Sequence, residues 1–418
     1  MPSIGASLFW IVASAVVAPL LAGLFPRKLV PEVVLLLLAG IIIGPHVLDI
    51  AVEGSEIGLL SDLGLGLLFL LAGYEINTAE ITGRGGRRAL VTWLASLALA
   101  FGLVWLLSLA GVTNAGTAVA IALTSTALGT LLPILRDAGA LDSRLGKTVL
   151  NHGAFGELGP VIAMAVLLGS RGSLASIAVL GLFVVAAVLV AFIPDRLRRE
   201  GSRIAAIIRA GSETTSQTTV RLTVLLLVTL SVLAMWFGLD AILGAFAAGF
   251  ILRRATAGGY EVLETKIDGL AFGFLIPIFF VTSGMAIDIE AIASEPGVLV
   301  AFVLLILVVR SGPVYVSGRF DRGPGGTDPP FTVRERTQLA LYAGTGLPLI
   351  VAVTGVAVDS GTMTTAHASA LVAAGAITVL LFPLGASLIG SPRDRQADHE
   401  PDAVDSQAAN DENRGVDT

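Results

Sequence analysis

Glu157 is an acidic residue in the middle of a long apolar segment, residues 148–169 (TVLNHGAFGELGPVIAMAVLLG). A carboxylate in such a segment marks a functional site if the segment crosses a membrane, because a charge is costly to keep there. Arg310 is the only basic residue deep inside another apolar segment, LLILVVRSGPVY. Burial and a neighbouring arginine act in opposite senses on the ionisation of a carboxyl group. A carboxyl balanced in this way binds either a proton or a metal cation, which is the chemical basis of exchange.

A second interpretation of the two charged residues is structural. Glu157 and Arg310 could form a static ion pair that only holds two helices together. His152 lies five residues before Glu157 and therefore off its helical face, so we expect it to form local hydrogen bonds rather than to relay protons.

Four of the apolar segments contain a glycine four residues before a proline: Gly129–Pro133, Gly156–Pro160, Gly273–Pro277 and Gly344–Pro348. A proline inside a helix cannot donate to the carbonyl four residues earlier, so that carbonyl is left available and the helix bends or opens. Inside a membrane such backbone is tolerated only where protein or a water-filled cavity satisfies it. Free carbonyls and hydroxyls are the hard oxygen ligands that Na+ and K+ prefer. The predicted cation ligands are Glu157, Gly156, Thr124, Ser125, Thr126, Gly344 and Thr345, with Arg310 as charge partner.

The elements that would position these residues are transmembrane helices. The chain is 55% hydrophobic and 14% charged, with a mean hydropathy of +0.86, which excludes an ordinary soluble domain. Apolar runs long enough to cross the hydrocarbon core recur along almost its whole length. The thirteen predicted spans are approximately 6–25, 29–48, 56–76, 88–111, 115–135, 146–169, 173–194, 219–237, 239–253, 262–287, 295–317, 334–358 and 364–390.

The basic residues predict the orientation of these spans. All of the 26 Lys and Arg residues except Arg171 and Arg310 fall in loops or tails on one side of the predicted membrane. Because basic residues collect on the cytoplasmic side, we expect a multi-pass protein of the cell inner (cytoplasmic) membrane, with its N-terminus outside and its C-terminus in the cytoplasm.

An internal repeat relates the two halves. FLLAGYEI (69–76) matches FVTSGMAI (280–287), and LLAGIII (37–43) matches FAAGFIL (246–252). Units displaced by seven spans enter the membrane from opposite sides, which is the inverted-repeat architecture of secondary transporters. We therefore predict an all-α polytopic membrane protein with two inverted six-helix repeats and discontinuous crossed helices. Repeat one covers about 6–169, a linker helix covers 173–194, and repeat two covers about 219–390.

Two further segments are polar. Residues 195–218 predict either a basic helix on the inner membrane surface or a solvated loop, and 391–418 predict a disordered cytoplasmic tail. The absence of cysteine excludes thiolate metal sites and disulfides. We expect no cofactor and no nucleic-acid partner; the partners are the lipid bilayer and the transported ions.

These segments resemble the monovalent cation:proton antiporter superfamily, of the Kef and Nap exchanger type. The resemblance rests on the order and spacing of PEVVLLLLAGIIIGP, LGLLFLLAGYEI, LTSTALGTLLP, LGAFAAGFIL and IPIFFVTSGMAID, and it extends over roughly residues 10–390. It implies exchange of Na+ or K+ for H+, with Glu157 at the position of the binding carboxylate and Arg310 at that of a basic residue in the eleventh span. It also implies a homodimer in which a mobile core domain moves past a dimerisation domain, as in an elevator.

The sequence departs from that family at the site itself. Glutamate stands at 157 where relatives usually have aspartate, and glycine stands at 156 in place of an acidic or polar residue. With one titrating acid, we expect electroneutral exchange of one cation for one proton. A transporter or channel for another solute on the same fold, or a membrane sensor that transports nothing, is the alternative.

Overall fold

A computed structural model describes residues 2–24, 30–76, 83–109, 116–137, 139–168, 173–199, 217–256, 261–323 and 327–389. Every regular element in those ranges is a helix. Most of the polar segment 195–218 and the whole predicted tail 391–418 lie outside the described residues.

The helices are numbered in chain order over the described residues. The first half contains α1 (Ile4–Leu24), α2 (Glu32–Ile43), α3 (Ser55–Glu75), α4 (Gly83–Leu109), α5 (Gly116–Ala122), α6 (Leu128–Asp137), α7 (Arg144–Leu167) and α8 (Ser173–Arg199). The second half contains α9 (Thr218–Trp236), α10 (Ala241–Ala255), α11 (Glu261–Leu270), α12 (Ile276–Met285), α13 (Ile289–Ser294), α14 (Pro296–Ile306), α15 (Gly312–Gly318), α16 (Val333–Ala343), α17 (Leu347–Asp359) and α18 (Thr365–Ile389).

Helices coincide with all thirteen predicted spans. Among the described residues, nine stretches are long and apolar enough to cross a membrane. The second and seventh predicted spans coincide with shorter apolar helices, Glu32–Ile43 and Ala175–Val190. The fifth is divided between α5 and α6, and the ninth is α10. The all-helical membrane fold is confirmed, whereas the number of thirteen crossings stays a prediction.

Two of the four glycine–proline patterns do not interrupt a helix. α7 runs without a break through Gly156 and Pro160. The fifth span is broken, but at residues 123–127, so both Gly129 and Pro133 lie inside α6. The twelfth span is broken at 344–346 as predicted, and Pro348 stands in the first turn of α17. A proline there costs little, because the first N–H groups of a helix have no partner within it.

The Gly273–Pro277 pattern produces a widened turn. Residues Ala271–Leu275 between α11 and α12 form a π-helix, in which Ile276 donates to the carbonyl of Ala271. A second π-helix, Leu307–Ser311, joins α14 to α15, and Pro313 follows it closely. In both places a proline removes a hydrogen bond of α-helical spacing. The turn with five-residue spacing restores continuity and adds one residue.

Four glycines of the internal repeat form two equivalent helix crossings. Gly40 of α2 packs against the backbone of Val281, and Gly284 of α12 packs against the backbone of Leu37. In the same way, Gly73 of α3 packs against Phe246 and Gly249 of α10 packs against Leu70. A β-carbon at any of these glycines would overlap a carbonyl oxygen of the facing helix. The crossing of α2 with α12 thus has the same glycine contacts as the crossing of α10 with α3, as the internal repeat requires.

The helices pack into two bundles. The first bundle, called the glycine bundle, contains α1, α2, α3 and α9–α12; the second, called the crossing bundle, contains α4–α7 and α14–α18. α8 contacts both bundles through α10 and α7. The bundles meet where α3 faces α6, where α10 faces α7 and where α2 faces α18. The broken helices and both charged residues of the predicted site therefore belong to the crossing bundle.

An ion-pair network closes one end of the crossing bundle. Asp321, in the loop after α15, lies 2.8 Å from Nη1 of Arg88 and 3.4 Å from Nη2 of Arg144. Partial burial raises the pKa of Asp321, but the backbone N–H of Gly323 and the two guanidinium groups outweigh it. The pKa of Asp321 is therefore held below its ordinary value. The network fastens α4 and α7 to the loop that precedes α16.

Candidate functional site

The break in the fifth span is formed by hydroxyl residues. The hydroxyl of Thr124 donates to the carbonyl of Ile121 at 2.8 Å, and that of Ser125 donates to the carbonyl of Ala122 at 2.7 Å. These carbonyls belong to the last turn of α5, where helical partners are missing. The side chains therefore satisfy the end of α5 in a buried place.

The two broken spans cross at their breaks and hold each other by hydrogen bonds. The N–H of Ala127 donates to the carbonyl of Thr345 at 2.7 Å. The hydroxyl of Thr126 donates to the carbonyl of Ala343 at 2.6 Å, at the end of α16. Polar backbone of both breaks is thus satisfied by protein, which is the condition for irregular backbone at membrane depth.

α7 joins the same crossing through Gly156. The N–H of Thr126 donates to the Gly156 carbonyl at 2.8 Å. This is the carbonyl that Pro160 leaves without a helical donor. The predicted release of the Gly156 carbonyl is thus observed, but the carbonyl serves as an acceptor for the neighbouring break.

Arg310 lies inside this crossing with no exposed surface. Its Nε donates to the hydroxyl of Thr126 at 2.8 Å, and its Nη2 donates to the carbonyl of His152 at 2.6 Å. Its Nη1 has no hydrogen-bond partner among the described residues. The π-helix Leu307–Ser311 carries the guanidinium inward, because it buries the consecutive residues Val309, Arg310 and Ser311 together.

Glu157 lies on α7 beside the start of α6 and is 4% exposed. The backbone N–H of Leu128, the first residue of α6, donates to its carboxyl group. The helix N-terminus also carries a partial positive charge, which favours a carboxylate. The other carboxyl oxygen, Oε2, has no hydrogen-bond partner in the described part of the chain. A buried carboxyl oxygen without a partner can take a proton or ligate a cation.

Glu157 and Arg310 do not form the static ion pair that the second interpretation of the sequence supposed. Among the ion pairs between described residues, none joins Glu157 to Arg310 within 4.0 Å. The two side chains contact the same break two residues apart, Arg310 at Thr126 and Glu157 at Leu128. The two charged side chains therefore lie on the same break but have separate hydrogen-bond partners.

The guanidinium also explains why position 156 is glycine. A β-carbon there would overlap Nη2 of Arg310 and the hydroxyl of Thr126, and it would lie 2.5 Å from the Thr126 β-carbon. Non-bonded carbons ordinarily stay about 3.5–4.0 Å apart. The space that a polar side chain at 156 would need is thus filled by Arg310.

The remaining predicted ligands lie around the crossing rather than around Glu157. The hydroxyl of Thr345 donates to the carbonyl of Tyr342 at 2.8 Å. Gly344 faces the hydroxyl of Ser311 and the ring of Phe382. Thr124, Ser125, Thr126, Gly344, Thr345 and Gly156 are thus brought together, whereas the contacts of Glu157 are with the start of α6. Their role as cation ligands stays a prediction.

Glu75 is a functional candidate that the sequence reasoning missed. It is the last residue of α3, and its carboxyl oxygens lie 3.8 and 3.9 Å from the place of a β-carbon on Gly129, the second residue of α6. Its charge acts on Glu157. A signal was present in the repeat, because Glu75 of FLLAGYEI corresponds to Ala286 of FVTSGMAI.

Comparisons with known proteins agree on one family. The family described as "Sodium/hydrogen exchanger, transmembrane" matches residues 12–389. YjbQ of Bacillus subtilis (strain 168) is 28% identical over 323 residues, which are 73% of this chain and 51% of YjbQ. The Na(+)/H(+)-K(+) antiporter GerN of Bacillus cereus is 27% identical over 314 residues, 72% of this chain and 77% of GerN. The chain thus spans about half the length of YjbQ but most of GerN.

The fold is similar to a solved antiporter. The structure of the sodium proton antiporter MjNhaP1 from Methanocaldococcus jannaschii at pH 8 superimposes with a TM-score of 0.64. The match covers 92% of this chain and 97% of that one, at 20% sequence identity. At this identity the likeness concerns the fold alone.

Proposed function

The chain belongs to the sodium/hydrogen exchanger family, and we propose that it exchanges a monovalent cation, Na+ or K+, for a proton across the membrane. Glu157 is the group for which the two ions compete. The observation that carries this proposal is the buried Glu157 carboxyl: one oxygen is bonded to the start of α6, and the other has no hydrogen-bond partner among the residues that the structure describes. A proton on the carboxyl and a cation beside the carboxylate are alternatives, so binding of one ion releases the other.

Arg310 contributes a fixed positive charge to the site. The hydroxyl of Thr126 accepts a hydrogen bond from Arg310 and donates one to the carbonyl of Ala343. That carbonyl lies at the partially negative end of α16, so Thr126 links the guanidinium to this helix end. A buried positive charge that balances this helix end allows the crossing to persist without a bound cation. The guanidinium also keeps cations away from Thr126, so the cation site lies on the Glu157 side of the break.

Movement of one bundle past the other would carry the bound ion across the membrane. The separation of the glycine bundle from the crossing bundle supports an elevator-like cycle, because the site residues on α6, α7 and the breaks would move together. A homodimer formed through the glycine bundle would hold that bundle still. Since one carboxyl alternates between one proton and one cation, each cycle is electroneutral.

Exchange can be tested in everted membrane vesicles. A preformed acidic interior should be dissipated when Na+, K+ or Li+ is added outside, and the active ions define the selectivity. Glu157→Gln removes the exchangeable proton but retains size and hydrogen bonding, so we expect exchange to fall to the level of empty vesicles. Full exchange by the folded Glu157→Gln protein would refute the assignment and leave a transporter of another solute or a sensor.

A control variant and a separate measurement complete this test. Glu290→Gln removes an exposed carboxylate on α13 and should exchange like the unmodified protein. Electroneutrality is checked separately in proteoliposomes: a stationary current driven by a cation gradient would contradict exchange of one cation for one proton.

A further inference from the structure

We propose that one corner of the crossing bundle binds an anionic phospholipid by its phosphate group. This corner lies between α15 and α16 and is called the arginine corner. It combines guanidinium groups with an aromatic ring and exposed apolar side chains: Tyr315, Val316, Arg319, Phe320, Val333 and Arg336. The inference concerns a surface outside the exchange site, so it does not depend on the proposed function.

The arginine corner lies where two helical stretches meet the same membrane surface. One stretch that is long and apolar enough to cross a membrane ends at Gly318, and another begins at Val333. Arg319 and Phe320 directly follow the first stretch, and Arg336 stands in the first turn of the second. Both guanidinium groups therefore lie at the depth of the lipid headgroups.

Arg336 is held in place but has a buried N–H group without an acceptor. Its Cζ lies 4.9 Å from the centre of the Tyr315 ring, and its Cγ lies 2.9 Å from the place of a β-carbon on Gly318. Its Nε has no hydrogen-bond partner among the described residues. A buried guanidinium N–H that stays unsatisfied is costly. An oxygen atom from outside the chain would remove that cost.

The carboxylates around the arginine corner are engaged by other groups. Asp321 pairs with arginines of α4 and α7. Glu335 accepts from the N–H of Thr332 at 2.7 Å and from its hydroxyl at 2.8 Å, in the cap of α16. Among the ion pairs between described residues, none contains Arg319 or Arg336. The corner therefore presents two positive charges without a counter-ion, and the start of α16 adds a partial one.

Exposed apolar side chains beside the guanidinium groups favour a lipid as the source of the anion. Val316 is 56% exposed, Phe320 64% and Val333 62%. Val316, Arg319 and Phe320 are spaced about one helical turn apart, so the arginine and the two apolar side chains share a face. Acyl chains contact such apolar side chains while the phosphate lies among the guanidinium groups. A free phosphate ion would contact the arginines alone.

A bound lipid would fasten two helices that hold the crossing. α15 continues from the π-helix that carries Arg310, and α16 ends at the second break. Because the phosphate joins Arg319 at the end of α15 to Arg336 on α16, the lipid stabilises the packing of these two helices. Anionic lipid should therefore raise the thermal midpoint of the protein.

The test measures lipid binding by the purified protein. Native mass spectrometry in detergent, with added dioleoylphosphatidylglycerol, gives the association constant of the first bound lipid. We expect Arg319→Gln and Arg336→Gln each to lower this constant about fivefold. Arg336 also packs on Tyr315 and Gly318, whereas Arg319 is exposed, so Arg319→Gln tests the charge without disturbing the interior.

Matched variants separate the arginine corner from the general charge of this membrane face. Arg254→Gln removes an exposed arginine from the end of α10 in the glycine bundle, and its constant should stay within about twofold of the unmodified protein. Arg336→Lys retains the charge but loses the flat group that lies on Tyr315, so its constant should be intermediate. Phe320→Ala leaves the charge unaltered and should lower the constant about threefold through the lost acyl contact.

Two further probes identify the ligand. Dioleoylphosphatidylcholine has no net charge and should bind at least about fivefold more weakly than the phosphatidylglycerol. Inorganic phosphate should neither displace the lipid nor raise the thermal midpoint.

Four results would overturn the proposal: an unchanged constant in Arg319→Gln, the same fall in Arg254→Gln, equal binding of the two lipids, or displacement of the lipid by inorganic phosphate. The last result would make a free phosphate ion the ligand. Thermal unfolding of each variant without added lipid verifies that the constants refer to folded protein.

Discussion

The glycine at position 156 offers a direct test of the packing around Arg310. Gly156→Ala adds one methyl group at a place that overlaps Nη2 of Arg310 and lies 2.5 Å from the Thr126 β-carbon. Overpacking of a well-packed interior costs about 1–3 kcal/mol. Displacement of the guanidinium from the His152 carbonyl removes a hydrogen bond to a charged group, worth about 1.5–3 kcal/mol. We therefore expect Gly156→Ala to lower the free energy of unfolding by about 3 kcal/mol or more.

The measurement is equilibrium unfolding in mixed detergent micelles, monitored by tryptophan fluorescence. Gly355→Ala is the control, because a β-carbon on Gly355 meets nothing within 4 Å on the exposed side of α17. Alanine has the higher helix propensity, so this control should be unchanged or more stable by up to about 1 kcal/mol.

A double-mutant cycle then identifies the cause. If the overlap is with the guanidinium, Gly156→Ala should cost at least about 1 kcal/mol less in an Arg310→Met background than in the unmodified protein. Strictly additive effects would mean that Arg310 does not occupy the space beside Gly156. A stability equal to that of Gly355→Ala would refute the packing argument altogether.

Two other predictions concern the crossing and the ion-pair network. Thr126→Val removes the hydroxyl that bonds both Arg310 and the second break, so the free energy of unfolding in detergent should fall by about 1–3 kcal/mol. Thr126→Ser keeps the hydroxyl and should retain most of that stability. Equal stability of the Val and Ser variants would exclude a role for the hydroxyl. Asp321→Asn should lower the thermal midpoint at pH 7, because a carboxyl with a depressed pKa stabilises the folded state above its unfolded pKa. That difference should shrink as pH falls below about 3.9 and through the lower folded pKa, so a difference that persisted at lower pH would argue against the charge of Asp321 as its source.

Local sequence patterns predicted much of the fold. Hydropathy located the helices, since length and apolar composition decide what can cross a membrane. The repeat was readable because Gly40 and Gly249, like Gly73 and Gly284, have no room for a side chain. The second break was predicted correctly because Pro348 starts a new helix.

The first break shows where such patterns are insufficient. Its position is set by hydroxyls that satisfy the end of α5 and by hydrogen bonds to the second broken span. The hydrogen bonds to the second broken span join residues far apart in sequence. Gly129 and Pro133 therefore did not locate it. Similarly, spacing along the chain does not report that Arg310 fills the space beside Gly156.

Glu75 was missed for a related reason. It stands at the end of its helix, where a charged residue is ordinary, and it approaches Glu157 only because α3 faces α6 across the bundle boundary. By contrast, Glu157 was identifiable from sequence because its own helix is apolar around it.

The π-helix at Leu307–Ser311 changes which faces of the following helix point toward its neighbours. One extra residue in the turn rotates everything after it by about 100° relative to an uninterrupted α-helix. The faces of α14 and α15 are therefore out of phase, and Arg310 stands at the point where the phase changes. Deletion of a single residue here would leave the composition of the segment almost unaltered and would turn α15 to present a different face to α16. The length of this turn is thus as much a part of the site as the charge that it carries.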